Sequence, residues 1–253
     1  MTPRASRPAA RRPCLVLATR NRGKLREMRR ILRPLLPHVR LLSLLDFPRV
    51  EDTDESGHSY QENARIKAIA AARATGIVAL ADDSGIEVDA VGRWPGIQSS
   101  RFVGPQASDE DRNREILRRL ASVRRSRRGA AFVCAAAIAT ADGKARCVTR
   151  KCRGAIADAP RGEDGFGYDP IFTPIGWRKT FAQVTRAEKD AISHRGQAMR
   201  AAARLARGLL RSAVLPGARC KTPSSGTLRG VYPESSRRAQ GDKQAESPAP
   251  LSF

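Results

Sequence analysis

Leu80-Ala-Asp-Asp-Ser-Gly-Ile-Glu-Val-Asp89 is the stretch on which the reading of this chain turns. Two adjacent carboxylates, Asp82 and Asp83, follow an apolar run, and Ile86 and Val88 alternate with Glu87 and Asp89 after them. Ser84-Gly85 between the halves reads as a tight turn joining two strands. Adjacent carboxylates repel, and each is costly to desolvate alone. A divalent cation removes that cost, and Mg²⁺ is typically held by one or two carboxylates together with substrate phosphates. A solvated acidic turn would present the same residues.

The flanking sequence alternates in the same way. Cys14 to Ala18 is a short apolar strand, and Thr19-Arg-Asn-Arg-Gly-Lys24 is a polar turn after it. Leu25 to Leu36 has helical spacing, with Leu25, Met28, Ile31, Leu32 and Leu35 on one face and Pro37 as the stop. Residues 46–59 read as a polar, acidic loop. Gln61 to Ala74 is an Ala-rich helix closed by Gly76. Ile77 to Ala81 is a strand that leads into the acidic pair. Ser108-Asp-Glu-Asp111 is a capping box that opens a helix to about Val123. Phe132 to Thr140, Ala145 to Lys151 and Gly154 to Ala157 read as a strand meander. Gly162 to Pro170 is a glycine-punctuated loop before Ile171-Phe172, and Ser193 caps a last helix to about Ala213. Helices and strands alternate early and strands cluster late, so the fold class is α/β with a mixed sheet.

Composition bounds the remaining questions. The chain has 253 residues, 41% of them hydrophobic, and a formal net charge of +22. No run approaches the roughly 18 apolar residues of a membrane span. The five cysteines form no C-x-x-C pair, which argues against zinc, and their odd, unpatterned count suits a reducing compartment and a cytoplasmic location. Arg greatly outnumbers Lys and is spread along the chain. That is either a nucleic-acid footprint or solvated background that also attracts anions, and the spread favours background. Residues 1–13 read as a disordered basic arm, whose Arg-rich, acid-free character also fits an organelle transit peptide. Residues 216–253 read as a disordered tail that lacks the apolar content to fold. The domain is then 14–215.

Four groups carry chemistry. Thr19 to Lys24 stands where a helix start offers backbone N–H groups and a Lys to phosphate, without the spacing of a P-loop. Asp54-Glu55 offers loop carboxylates that could join the acidic pair, and Asn63 and Lys67 share a helix face at i, i+4. Gly165-Phe-Gly-Tyr-Asp-Pro170 places Phe166 where it could stack on a base, with a carboxylate nearby. Ser193-His-Arg-Gly196 offers His194 and Arg195 to a purine carbonyl, and Lys189 precedes them.

Six segments in this order are specific together. Leu17 to Lys24, Glu62 to Ala68, Ala81 to Asp89, Pro95 to Arg101, Gly165 to Phe172 and Ser193 to Ala198 make the chain resemble the inosine/xanthosine triphosphate pyrophosphatase family over about residues 14 to 210. The resemblance implies a mixed, elongated central sheet with flanking helices, two lobes around a cleft, and a homodimer. It implies Mg²⁺-dependent hydrolysis of dITP, ITP and XTP to the monophosphate and pyrophosphate. Asp83 would be the catalytic base. Asp54 or Glu55 with Asp83 would hold Mg²⁺, with Asp82 as a helper. Thr19, Arg20, Asn21, Arg22, Gly23 and Lys24 would cradle the triphosphate, and Ser84 would touch substrate. Phe166, Gly167, Tyr168, Asp169, Lys189, His194 and Arg195 would line the nucleotide pocket. Thr149-Arg150 departs from the Glu-Gly-like pair usual there, which puts local strand packing in question. Two alternatives stay open: a septum-inhibitor-like pyrophosphatase acting on other nucleotides, and nucleic-acid binding through the basic ends.

Overall fold

A computed structural model of the chain describes residues 12–212. The arm expected at 1–13 lies almost wholly outside these residues, and the tail expected at 216–253 lies wholly outside them. Among the described residues, no helix is long and apolar enough to cross a membrane.

A seven-stranded mixed sheet forms the centre. Its order is β2(Arg40–Ser43), β1(Cys14–Leu17), β3(Ala79–Val88), β5(Gly129–Ala139), β6(Ala145–Ile156), β7(Phe172–Pro174), with β4(Trp94–Pro95) paired to the far end of β3. β1 runs parallel to β2 and β3, and every later pairing is antiparallel. The Ala-rich β5 is buried along almost its whole length between two long neighbours. Small side chains there let helices approach both faces.

Helices flank the sheet. α2(Tyr60–Thr75) packs its alanines on one face with Ala79, Ala81, Ala135 and Ala137. α1(Arg22–Leu35) and α5(His194–Ser212) cover the other face over Leu80, Ala136 and Ile138. A third cluster, built on Ile86, Val88, Phe132 and Phe172, joins α3(Asp109–Arg119) to the far ends of the long strands. α4(Arg186–Ile192) leads into α5 through Ser193, whose Oγ accepts from Gly196 N at 3.1 Å.

Several expectations hold. The apolar face of α1, the left-handed Gly76 at the end of α2 (φ 68°) and the Ser108–Asp111 capping box are all present. Others need correction. α3 stops at Arg119, short of Val123. The strands expected at Ala145–Lys151 and Gly154–Ala157 are one strand, β6. The acidic pair is not on a turn either: Asp82 to Gly85 lie within β3 and keep unbroken antiparallel register with Ala136 to Val133.

The physical reason is the same for both strands. A Cβ on Gly85 would stand 2.4 Å from the Gly96 carbonyl oxygen, and one on Gly154 would stand 2.3 Å from that of Thr173. Both glycines admit close backbone approach inside a strand, and Gly85 marks no turn.

Candidate active site

Because β3 runs straight through the acidic pair, its two carboxylates point to opposite faces of the sheet. Asp82 shares the face of Leu80 and meets α1 and α5. Asp83 shares the face of Ala81 and meets α2.

On the α2 face, Asp83 accepts from Lys67 Nζ at 3.0 Å and from Asn63 Nδ2 at 3.4 Å. The i, i+4 spacing of Asn63 and Lys67 therefore aims both at one carboxylate. Lys67 Nζ also donates to Glu55 Oε1 at 2.8 Å, and Arg101 Nη1 reaches Glu55 Oε2 at 2.8 Å. Burial, the largest influence, leaves the Asp83 carboxyl above its ordinary value although Lys67 and Lys24 pull the other way. Burial would also raise Glu55, but Lys67 and Arg101 hold it low.

On the α5 face, Asp82 is 2% exposed. Its Oδ2 accepts from Arg195 Nε and Nη2, each at 3.2 Å, and from Ser84 Oγ at 3.2 Å, and Lys24 Nζ stands 3.4 Å away. Its Oδ1 is buried without a hydrogen-bond partner. Burial opposes its charge most strongly, yet Lys24, Arg195 and Lys67 outweigh that and push its pKa down. The Arg195 guanidinium continues to Ser84 Oγ at 2.8 Å and to Glu27 Oε2 at 2.6 Å. Glu27 Oε1 pairs with Lys189 Nζ at 2.7 Å, and Lys189 also pairs with Asp169. Asp169, accepting from Phe166 N at 2.9 Å, has its pKa raised chiefly by burial.

His194 lies flat on Phe132, with ring centroids 4.5 Å apart, and its Nδ1 has no partner. Burial first, then Arg195 and Lys189, drive its pKa well below the ordinary 6.5, so the ring is neutral. The Phe166 ring has Lys189 Nζ 5.0 Å and the Arg195 guanidinium carbon 5.6 Å from its centroid.

One cleft collects these groups. Asn21, Lys24, Glu55, Asp83, Ser84, Phe166, Gly167, Tyr168, Asp169, Lys189, His194 and Arg195 all line it. Asn21 caps α1 by accepting from Lys24 N at 3.0 Å, and Thr19 Oγ1 accepts from Asn21 N at 3.2 Å. Gly23 lies against the Phe166 ring.

Of the expected residues, Thr19, Arg20, Arg22, Gly23 and Asp54 are outside the cleft lining. Arg20 turns to Asp52 at 2.8 Å and to the Leu44 carbonyl at 3.1 Å, pinning the 44–52 loop. Arg22 and Asp54 are exposed and outside the cleft lining. Among the described residues no three His, Cys, Asp or Glu groups gather as a metal cluster. Glu55 and Asp83, however, already converge on one cation, Lys67 Nζ, and their hard oxygen donors suit Mg²⁺.

The sequence reading passed over Glu27, Asp109, Arg112 and Asn113. Glu27 carried a signal, since it falls beside Leu25 and Met28 near the apolar face of α1 and is 6% exposed. Asp109 and Asn113 carried none beyond their place at a helix start.

Comparison with known proteins agrees with this architecture. The Ham1 family model matches residues 15–205. A dITP/XTP pyrophosphatase of Streptomyces coelicolor is 46% identical over 197 residues, spanning 78% of this chain and 98% of the relative. One from Geobacter sulfurreducens is 47% identical over 185 residues, spanning 73% and 92%. Among solved structures, a HAM1 protein from Coxiella burnetii aligns with TM-score 0.69 at 39% identity, covering 78% of this chain and 99% of that one. The nucleoside-triphosphatase, dITP/XTP pyrophosphatase, of Mycobacterium abscessus aligns with TM-score 0.61 at 43% identity, covering 75% and 98%.

Proposed function

Because the chain belongs to the Ham1 family, we propose that it hydrolyses deaminated purine nucleoside triphosphates, dITP, ITP and XTP, to the monophosphate and pyrophosphate. The supporting observation is the meeting of Lys24, Asp83, the Phe166 loop and His194-Arg195 on one cleft. The relatives' shared name, dITP/XTP pyrophosphatase, points to the same substrates.

In this reading the triphosphate lies at the start of α1, where Lys24 and the helix N–H groups offset its charge. Asp83 takes a proton from a water as that oxygen forms a bond to the α-phosphorus. The α–β bridging bond breaks, and pyrophosphate carries away its electron pair. A carboxylate whose pKa burial raises is a better base than an exposed one. Glu55 and Asp83 would hold Mg²⁺, which when bound screens the phosphates. Asp54, exposed and apart, is left out of that set.

The base would lie against Phe166, with the Arg195 guanidinium and the neutral His194 ring facing its edge. Donors aimed at a 6-oxo group leave a 6-amino group badly paired, which discriminates more strongly than apolar contacts do. A homodimer and a cytoplasmic location belong to the same proposal, and light scattering of the purified protein checks the former.

Pyrophosphate release from ITP, XTP, GTP, ATP, dTTP and UTP, each with Mg²⁺, tests the whole reading. ITP and XTP should exceed ATP by at least about a hundredfold in kcat/KM. Preference for dTTP or UTP would move the chain to the septum-inhibitor-like alternative.

A further inference from the structure

Within the Phe166–Asp169 loop, the residue expected to meet the base has no polar side-chain atom to fix it. Phe166 is only half-buried, and its ring rests on Gly23 and beneath Lys189 and Arg195. Its neighbours are tied one by one. Phe166 N donates to Asp169, the Tyr168 hydroxyl donates to the Ser99 carbonyl, and Asp169 pairs with Lys189. Gly167 is held from a different quarter. Its N–H donates to Asp109 Oδ2 at 2.7 Å, and its carbonyl accepts from Asn113 Nδ2 at 3.0 Å.

Asp109 and Asn113 are i, i+4 neighbours on α3, so they lie on one helix face and grip both ends of one residue. The grip is itself braced. Asp109 Oδ1 takes Arg112 Nη2 at 2.5 Å, and Arg112 Nη1 donates to the Ala107 carbonyl at 2.7 Å. Asn113 is 4% exposed, and its Oδ1 is buried with no partner. A buried amide with an orphaned oxygen costs stability unless its other bond returns something. Here the amide group's hydrogen bond goes to Gly167.

We infer that Asp109 and Asn113 are positioning residues, which hold Gly167 so that the adjacent Phe166 ring stands ready for the base. They act through Phe166 and touch no reacting atom. The inference rests on the proposed purine nucleotide specificity and adds to it that α3 sets the base contact.

The experiment compares ITP kinetics of wild type, Asp109→Ala, Asp109→Asn, Asn113→Ala, Phe166→Ala and the Asp109→Ala/Phe166→Ala double variant. Losing the alignment of base–aromatic stacking should raise KM about tenfold while kcat moves less than about twofold. Asp109→Asn keeps an acceptor for the Gly167 N–H and should rescue most of the KM. In the double variant, Asp109→Ala should add less than about twofold to Phe166→Ala. Unchanged KM in both single alanine variants, or full additivity in the double variant, overturns the inference.

Hydrogen exchange at the Phe166 amide gives a second readout that needs no substrate and should quicken in Asp109→Ala. Exchange at the wild-type rate would overturn the inference even if every nucleotide proved inert. A wild type that ignores ITP sinks the functional reading, whereas an active wild type with indifferent variants sinks only this one.

Discussion

Asp82 and Asp83 are adjacent in the chain and live in opposite electrostatic surroundings. Asp82 faces α1 and α5, where Arg195 and Lys24 crowd it and hold its pKa down. Asp83 faces α2, where burial outweighs Lys67 and Lys24 and its pKa rises. A carboxylate pinned in its charged form by a guanidinium is an anchor. One poised above its ordinary value can take a proton. The strand pleat, by sending neighbours to opposite faces, thus gives two identical side chains different surroundings.

Replacing each in turn breaks that comparison most sharply. Asp83→Asn should lower kcat on ITP by about 10²–10⁴-fold, as losing a positioned base does, with thermal unfolding near wild type. Turnover at the wild-type rate would remove Asp83 from the chemistry. Asp82→Asn should instead cost about 3–5 kcal/mol of unfolding free energy in urea titration, because it leaves Arg195 buried with a partner missing. Wild-type stability in that variant would show that Asp82 is no anchor.

The acid limb of the rate profile sharpens the contrast. If Asp83 works as the base, kcat/KM should fall as pH drops through its raised pKa. Lys67 favours its charged form, so Lys67→Met should move that limb to higher pH. A limb that stays put would assign the titration elsewhere.

The smallest effect concerns His194. Its pKa is depressed in the fold, so below its ordinary value of 6.5 the unfolded chain binds a proton that the folded chain refuses. Stability should therefore decline as pH falls below 6.5, and His194→Gln should flatten that slope. Equal slopes for both proteins would mean that the ring is charged in the fold.

Much of the frame was legible because local rules and tertiary packing agreed. Leu25, Met28, Ile31 and Leu32 are buried on α1 at the expected spacing, and the Ser108 box opens α3. Ser84-Gly85 was misread because glycine carries two meanings, a turn or a close approach. Only the Gly96 carbonyl, brought in from outside the strand, decides between them. Arg20 and Asp54 were placed in the site by their neighbours' motifs. The folded loop sends Arg20 to Asp52 and leaves Asp54 exposed. Glu27 was hidden in the opposite way, a carboxylate whose partners lie more than 160 residues further along.

The order of residues by itself determined which chemical groups were present, the class of fold and the family, since apolar period, caps and motif order are local properties. The tertiary structure alone decided which carboxylate is anchor and which is poised, which loop α3 grips, and which basic side chains reach the cleft. Charge and burial act through space, and a side chain's pKa depends on neighbours that the chain supplies from far away.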